Sequence, residues 1–246
     1  MRRTVLTAAV LAMGLVGVLS GVAVAAPALP NSQWVGGSGS TAYSATTTGP
    51  YWSAVLADGG NGIDGFGVTA VGTQLGATTF GDFPDYVAID GNVRSAQNYT
   101  VSVSAANPYR LEFLNGNTVL NTGLTTLTPP TSDVDNGYIR DVYLYLGNRV
   151  QIVVGESAVT CAGTIGTFYT QAYLMGDDTT NPVQNQASAL AHAESPWQTP
   201  EGCGVTLTYS SVPRTGWYGL LVFGYGSTPV VVSFSQSHHA PGGGGG

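Results

Sequence analysis

Tyr99-Thr100-Val101-Ser102-Val103-Ser104 is the stretch from which the fold class is read. Its aromatic and valine side chains fall on one side of an extended chain and its hydroxyls on the other, the period-2 signature of a strand with one buried face. Val142, Leu144 and Leu146 repeat the pattern. Gly147-Asn148 then supplies a tight turn and Val150, Ile152 and Val154 return with the same period, which predicts a hairpin. Two further hairpins are expected, one from residues 109–113 through Asn115-Gly116 to Val119-Leu120, the other from residues 217–223 through Gly224-Tyr225-Gly226-Ser227 to residues 230–234. Helix-period stripes are nearly absent. In residues 181–193, Asn181 suits a cap and Pro182 a first helical position, while Ala187, Ala189, Ala191 and Ala193 alternate equally well as a strand. The expectation is an all-β, antiparallel β-sandwich protein.

Arg2 and Arg3 precede an apolar run that closes on Ala23-Val24-Ala25. A cationic start, a short apolar core and small residues two apart at the exit read as a secretory signal peptide over residues 1–26. Gly14, Gly17, Ser20 and Gly21 dilute the run, so a membrane anchor is not expected after processing. Loss of Arg2 and Arg3 leaves five arginines, no lysine and 14 acidic residues, a net charge of −9. The arginines are scattered, and a surface that displaces counterions from a nucleic acid needs them clustered. Nucleic acid is therefore excluded as a partner. Charged residues make up 9% of the chain, so solubility rests on Thr, Ser, Asn, Gln and Gly. Cys161 and Cys203 are an even pair in an exported chain and are expected to form a disulfide.

About 220 mature residues exceed the roughly 100 of one immunoglobulin-sized sandwich, with one large β domain of this length as the alternative. An internal echo argues for two tandem sandwich or jelly-roll-like units. Residues 85–92, 98–104 and 109–117 parallel residues 141–148, 149–155 and 169–178. The polar, proline-marked stretch 125–135 is the expected break, giving units at 27–130 and 131–237 and a glycine-rich tail at 238–246. Asp141-Val-Tyr-Leu-Tyr-Leu-Gly-Asn148, then Val205-Thr-Leu-Thr-Tyr209, Pro213-Arg-Thr-Gly-Trp-Tyr-Gly-Leu220 and residues 230–235 carry a resemblance. Over residues 138–236 the chain is similar to the bacterial pre-peptidase C-terminal domain family, small secreted β-sandwiches that accompany extracellular enzymes. The resemblance implies an accessory, non-catalytic role.

Signals for chemistry are sparse. Residues 59–67 match one copy of the G-G-x-G-x-D-x-U-x calcium nonapeptide through Asp64, and Asp133-Val134-Asp135-Asn136-Gly137 is an oxygen-rich loop. A calcium roll needs stacked copies, and the second loop lacks the distal Glu of an EF-hand. Asp64, Asp133 and Asp135 are the candidate metal ligands, and calcium is the ion that such hard oxygens suit; no other cofactor is expected. His192 stands among alanines, His238 and His239 lie at the tail, and no G-x-S-x-G elbow is present. Glu112, Glu156, Glu194 and Glu201 cannot be paired across a cleft from sequence. Among the aromatics near turns, Trp34, Trp52 and Trp197 are the candidates for stacking on a ligand, although in a β-sandwich such rings more often cap the core. Together these readings point to a secreted, non-enzymatic module that binds an extracellular or cell-surface ligand or serves a structural role. A carbohydrate-binding module or lectin acting on polysaccharide is the first alternative, and a secreted hydrolase with paired carboxylates the second.

Overall fold

The computed structural model describes residues 25–49, 51–59, 62–78, 84–91, 93–116, 118–128, 135–156, 170–177, 189–194, 204–225 and 229–238. Every regular element among them is a strand. The first unit contains β1 (Trp34–Gly37), β2 (Thr41–Thr47), β3 (Ser53–Asp58), β4 (Ile63–Ala70), β5 (Thr73–Leu75), β6 (Ala77–Thr78), β7 (Tyr86–Asp90), β8 (Gln97–Ala105) and β9 (Tyr109–Asn115). The second contains β10 (Gly123–Leu127), β11 (Asp135–Leu144), β12 (Asn148–Glu156), β13 (Thr170–Asp177), β14 (Ala191–Glu194), β15 (Gly204–Tyr209), β16 (Gly216–Tyr225) and β17 (Val230–His238). They pair into four antiparallel sheets. Sheet I is β2-β8-β4-β5 and sheet II is β1-β9-β3-β7-β6; sheet III is β11-β16-β13-β14 and sheet IV is β10-β17-β12-β15.

The sheets stack in that order as four layers, and side-chain alternation explains why. On β8, Tyr99, Val101, Val103 and Ala105 enter the I–II core while Asn98, Thr100, Ser102 and Ser104 are exposed. An outer strand therefore reads as a clean alternation. Inner strands are covered on both faces and read as continuous apolar runs. On β3, Val55 and Ala57 enter the I–II core, while Ala54 and Leu56 point the other way. On β16, Tyr218, Leu220 and Val222 enter the III–IV core, and Leu221 and Phe223 point back toward sheet II.

The middle layer joins the two units. Trp52, Ala54, Leu56, Val87, Ile89 and Leu114 meet Ile139, Tyr173, Met175, Leu221 and Phe223. Trp52 is fully buried and lies against backbone on both sides. A Cβ placed on Gly219 of β16, or on Gly91, would come within 2.7 Å of its indole ring. Gly137 of β11 likewise gives room to Leu56 and Leu114, whose Cδ1 atoms would lie 2.6 and 3.0 Å from a Cβ there. Full burial of one such apolar side chain contributes about 1.5–3 kcal/mol, so eleven of them make this layer a third core.

The two units share one strand plan. The orders β1-β9-β3-β7 and β2-β8-β4-β5 match β14-β13-β16-β11 and β15-β12-β17-β10 position for position. Apart from β6 with β7, each pair in the first unit has an antiparallel counterpart, as β3 with β7 and β9 corresponds to β16 with β11 and β13. Along the chain, however, the second unit begins with the equivalent of β5 and ends with that of β4. The units are circular permutations of one another in strand connectivity. The three echoing segments fall on β7, β8 and β9 and on the end of β11, β12 and β13.

The three predicted hairpins are corrected. β11 lies in sheet III and β12 in sheet IV, β16 lies in III and β17 in IV, and β9 pairs with β1 and β3; Val119 instead bridges Asp141. The predicted turn at Gly147-Asn148 is a corner between sheets III and IV, the stretch after Gly116 joins the two units, and residues 226–228 of the third turn lie outside the described residues. A corner produces the same alternation as a hairpin, because both of its strands send apolar side chains into one core, as Val142, Leu144, Val150, Ile152 and Val154 do. The boundary moves as well. β10 pairs with β17 along Gly123–Leu127, so the second unit begins before residue 125 and the junction lies at residues 116–122. Residues 191–193 belong to strand β14; residues 181–188 lie outside the described residues.

Replacing Trp52 with Ala removes the largest side chain of the middle layer and is expected to cost about 3–5 kcal/mol of stability, read as a lower urea midpoint with unchanged slope. A loss below about 1 kcal/mol would contradict this packing.

Candidate functional site at the rim of the middle layer

Beyond Ile139 and Asp141, the face of β11 that packs on sheet II runs out from under its cover. Alternation places Tyr143 on that face, and Tyr145 continues the period just past the strand end. Tyr145 is 52% exposed and Tyr143 36% exposed. In register, Tyr143 sits opposite Trp217 of β16, and their rings meet edge to face with centroids 5.0 Å apart. Tyr145 meets Tyr143 edge to face at 5.3 Å. From the first unit, Tyr51 stacks on Trp217 at 4.4 Å with an interplanar angle of 16°, and the Arg94 guanidinium lies 4.9 Å from the Tyr51 ring centroid. The result is a ladder of aromatic rings along the rim, assembled from both units. Tyr51 is pinned by its carbonyl, which accepts from the Val93 amide at 3.1 Å, and it immediately precedes the buried Trp52.

The corner after β11 holds the exposed end. The Asn148 amide donates to the Tyr145 carbonyl at 3.1 Å, and Gly147 donates to the Val212 carbonyl at 2.9 Å. Gly147 has φ +76°, a left-handed conformation that glycine adopts without steric cost. The Leu146 amide donates to Thr215 Oγ1 at 2.9 Å.

Beside Tyr143 and Tyr145 lies a groove of about 360 Å³, walled further by Val119, Asn121, Thr122, Phe234 and Gln236. Gln236 is held in place on both sides of its amide. Its Nε2 donates to the Tyr143 carbonyl at 3.2 Å, and its Oε1 accepts from Asn148 Nδ2 at 3.2 Å. Apart from the tyrosine hydroxyls, the lining has no ionisable side chain. The site therefore offers ring faces and edges, an aliphatic floor, and neutral amide and hydroxyl groups. Among the described residues, the lining carries no histidine, cysteine or carboxylate. A second concavity, of about 580 Å³, is an open trough over the outer face of sheet I, walled by Ser40, Thr41, Gly65, Gly67, Ser102 and Ser104.

The sequence-derived candidates fare unevenly. Trp52 is corrected: its ring is withdrawn into the middle layer and cannot stack on a ligand. Trp34, on edge strand β1, is partly buried and carries the Arg110 guanidinium 4.8 Å from its ring centroid, while Arg110 also pairs with Asp58. Trp197, Asp133, Cys161 and Cys203 lie outside the described residues. Asp64 is exposed on β4 beside a register shift, and Asp135 opens β11 in the other unit. Among the described residues, no three His, Cys, Asp or Glu side chains converge to hold a metal ion. Glu112 is buried on β9. His192 stacks on Tyr173 with centroids 6.1 Å apart, and His238 Nδ1 lies 3.2 Å from Asn148 Oδ1.

Other buried polar groups serve the framework. Tyr99 donates to Asp90 Oδ2 at 3.0 Å and shares a 2.8 Å hydrogen bond with Ser53; burial, then the Asp90 charge, raises its pKa. Burial, then the Glu112 charge, raises that of Tyr138, and burial lowers that of Arg140. Tyr43 bonds hydroxyl to hydroxyl with Tyr109 at 3.1 Å, and burial, then that bond, lifts its pKa from 10.0 to about 12. None of these groups lines the rim groove.

Sequence reasoning missed Tyr143 and Tyr145 as site residues. The signal was present in Val142-Tyr143-Leu144-Tyr145, since a core that takes Val142 and Leu144 must turn both tyrosines away.

No protein-family model matches the chain, and no curated protein matches it. Among solved structures it is similar to an uncharacterized protein from Burkholderia cenocepacia, with 8% identity over 81% of this chain and 76% of that one and a TM-score of 0.30.

Proposed function

We propose that this protein is an exported, non-catalytic binding module that attaches to a ligand at the cell exterior through the Tyr143–Tyr145 rim. The observation that carries the reading is the exposed aromatic ladder beside a concave, uncharged groove. Exposed aromatic side chains are costly to leave in water and are typical anchors of binding surfaces. Export is supported by the signal-like leader. An accessory role agrees with the resemblance of residues 138–236 to pre-peptidase C-terminal domains.

The strand ends also support the expected disulfide. Gly155 near the end of β12 pairs with Gly204 at the start of β15. Cys161 follows the first by six residues and Cys203 immediately precedes the second, and six residues can span up to about 20 Å. The two cysteine-bearing segments thus leave from neighbouring points on sheet IV. Mass spectrometry of the exported protein, alkylated without reduction, is expected to find both cysteines protected and their peptides linked. Quantitative alkylation of both thiols would refute the bridge.

Attachment of the mature protein to cell-surface material is expected to fall about thirtyfold in Tyr145→Ala, equivalent to about 2 kcal/mol for a hot-spot aromatic, with the unfolding midpoint unchanged. Undiminished attachment by that variant would remove the rim from the contact surface.

A further inference from the structure

We infer that the rim takes a neutral polysaccharide chain; this rests on the rim being the contact surface and specifies its ligand. Three observations select that class. The first is charge. The groove lining is uncharged in a mature chain of net charge −9. A polyanion would meet overall repulsion and find no cation among the groove-lining residues, Arg94 lying at the far end of the ladder over Tyr51, while a neutral ligand brings no ionic group to desolvate.

The second is the division of the surface. Tyr143, Tyr145 and Val119 provide apolar area, and Asn121, Thr122 and Gln236 place amide and hydroxyl groups beside it. A pyranose has the complementary division, with C–H groups on its ring faces and hydroxyls around its edge. The Gln236 amide is already fixed by its bonds to Tyr143 and Asn148, so little rotamer freedom remains to be lost when a sugar hydroxyl meets it. The groove, at about 360 Å³, lies at the small end of the ligand-site range.

The third is extension. Successive ring centroids from Tyr145 to Tyr143 to Trp217 are 5.3 and 5.0 Å apart, so the aromatic surface continues past the groove along the rim. A chain of several sugar units can contact both, whereas a single sugar occupies the groove alone.

The experiment measures retention of the full mature protein in affinity gels containing soluble neutral polysaccharides (β-glucan, xylan, galactomannan) or anionic ones (alginate, polygalacturonate). The same polysaccharides are used as competitors of cell-surface attachment. At least one neutral chain is expected to retard the protein, with retardation preserved in 0.5 M salt, weakened tenfold or more in Tyr145→Ala and within threefold of the parent in Tyr145→Phe, which keeps the ring. No retention by any neutral chain, or retention by anionic chains alone with loss in salt, overturns the inference. If Tyr145→Ala abolishes cell-surface attachment but no neutral polysaccharide competes, the rim stands and the ligand class falls. Loss of that attachment after protease treatment of the surface would assign the site to a protein partner. Neutral binding that Tyr145→Ala leaves intact would remove the rim itself, and the inference with it.

Discussion

An indole packed against bare backbone determines how the two units meet. Trp52 leaves the start of β3 and lies between Gly91 of its own unit and Gly219 of the other, where any larger residue would have to displace the ring. Leu56 and Leu114 use the space above Gly137 in the same way. Two sheets can approach closely only where one presents large side chains and the other presents none, as interior packing density demands. Glycine in the middle of a strand weakens that strand; here it permits the close approach, and the interlayer contacts offset the cost.

Docking of the inner sheets also creates the rim. Tyr51 and Trp52 are adjacent in sequence, and alternation sends them to different places: Trp52 into the layer, Tyr51 out over Trp217. Sheet III extends beyond the area that sheet II covers, so the face that is core at Ile139 and Leu221 becomes accessible surface at Tyr143 and Tyr145. The aromatic ladder is the exposed continuation of the middle core. Trp217, Tyr143 and Tyr145 come from the second unit, and Tyr51 of the first extends the ladder by stacking on Trp217. Although the units differ in where their strand order is cut, they share their sheet orders, and their central inner strands, β3 and β16, both begin at this rim.

Fold class was legible because it depends on local alternation, and β8 and β17 alternate as half-buried strands should. The layer assignment was not. Val142 to Val154 reads identically as a hairpin within one sheet or as a corner between two, since both place the same side chains in one core; only pairing partners distant in sequence, such as Gly155 with Gly204, separate them. The continuous apolar runs at residues 54–57 and 218–223 carried a signal of burial on both faces, and hence of more than two layers. Trp52 is ambiguous in the sequence, because an aromatic beside Gly and Ser residues looks the same whether the glycines expose it or make room for it. Tyr143 and Tyr145 are hard to place for the opposite reason, since the alternation of Val142 and Leu144 shows that they leave one core but not whether a second sheet covers them.

Differential scanning calorimetry of the mature protein is the most direct test of the claim that a shared middle layer unites the sandwiches and builds the rim. A layer with the character of a core predicts one transition, with calorimetric and van't Hoff enthalpies equal, and the Trp52→Ala protein should shift that transition or split it. Two resolved transitions in the unmodified protein, each with the enthalpy of about a 100-residue sandwich, would contradict the account.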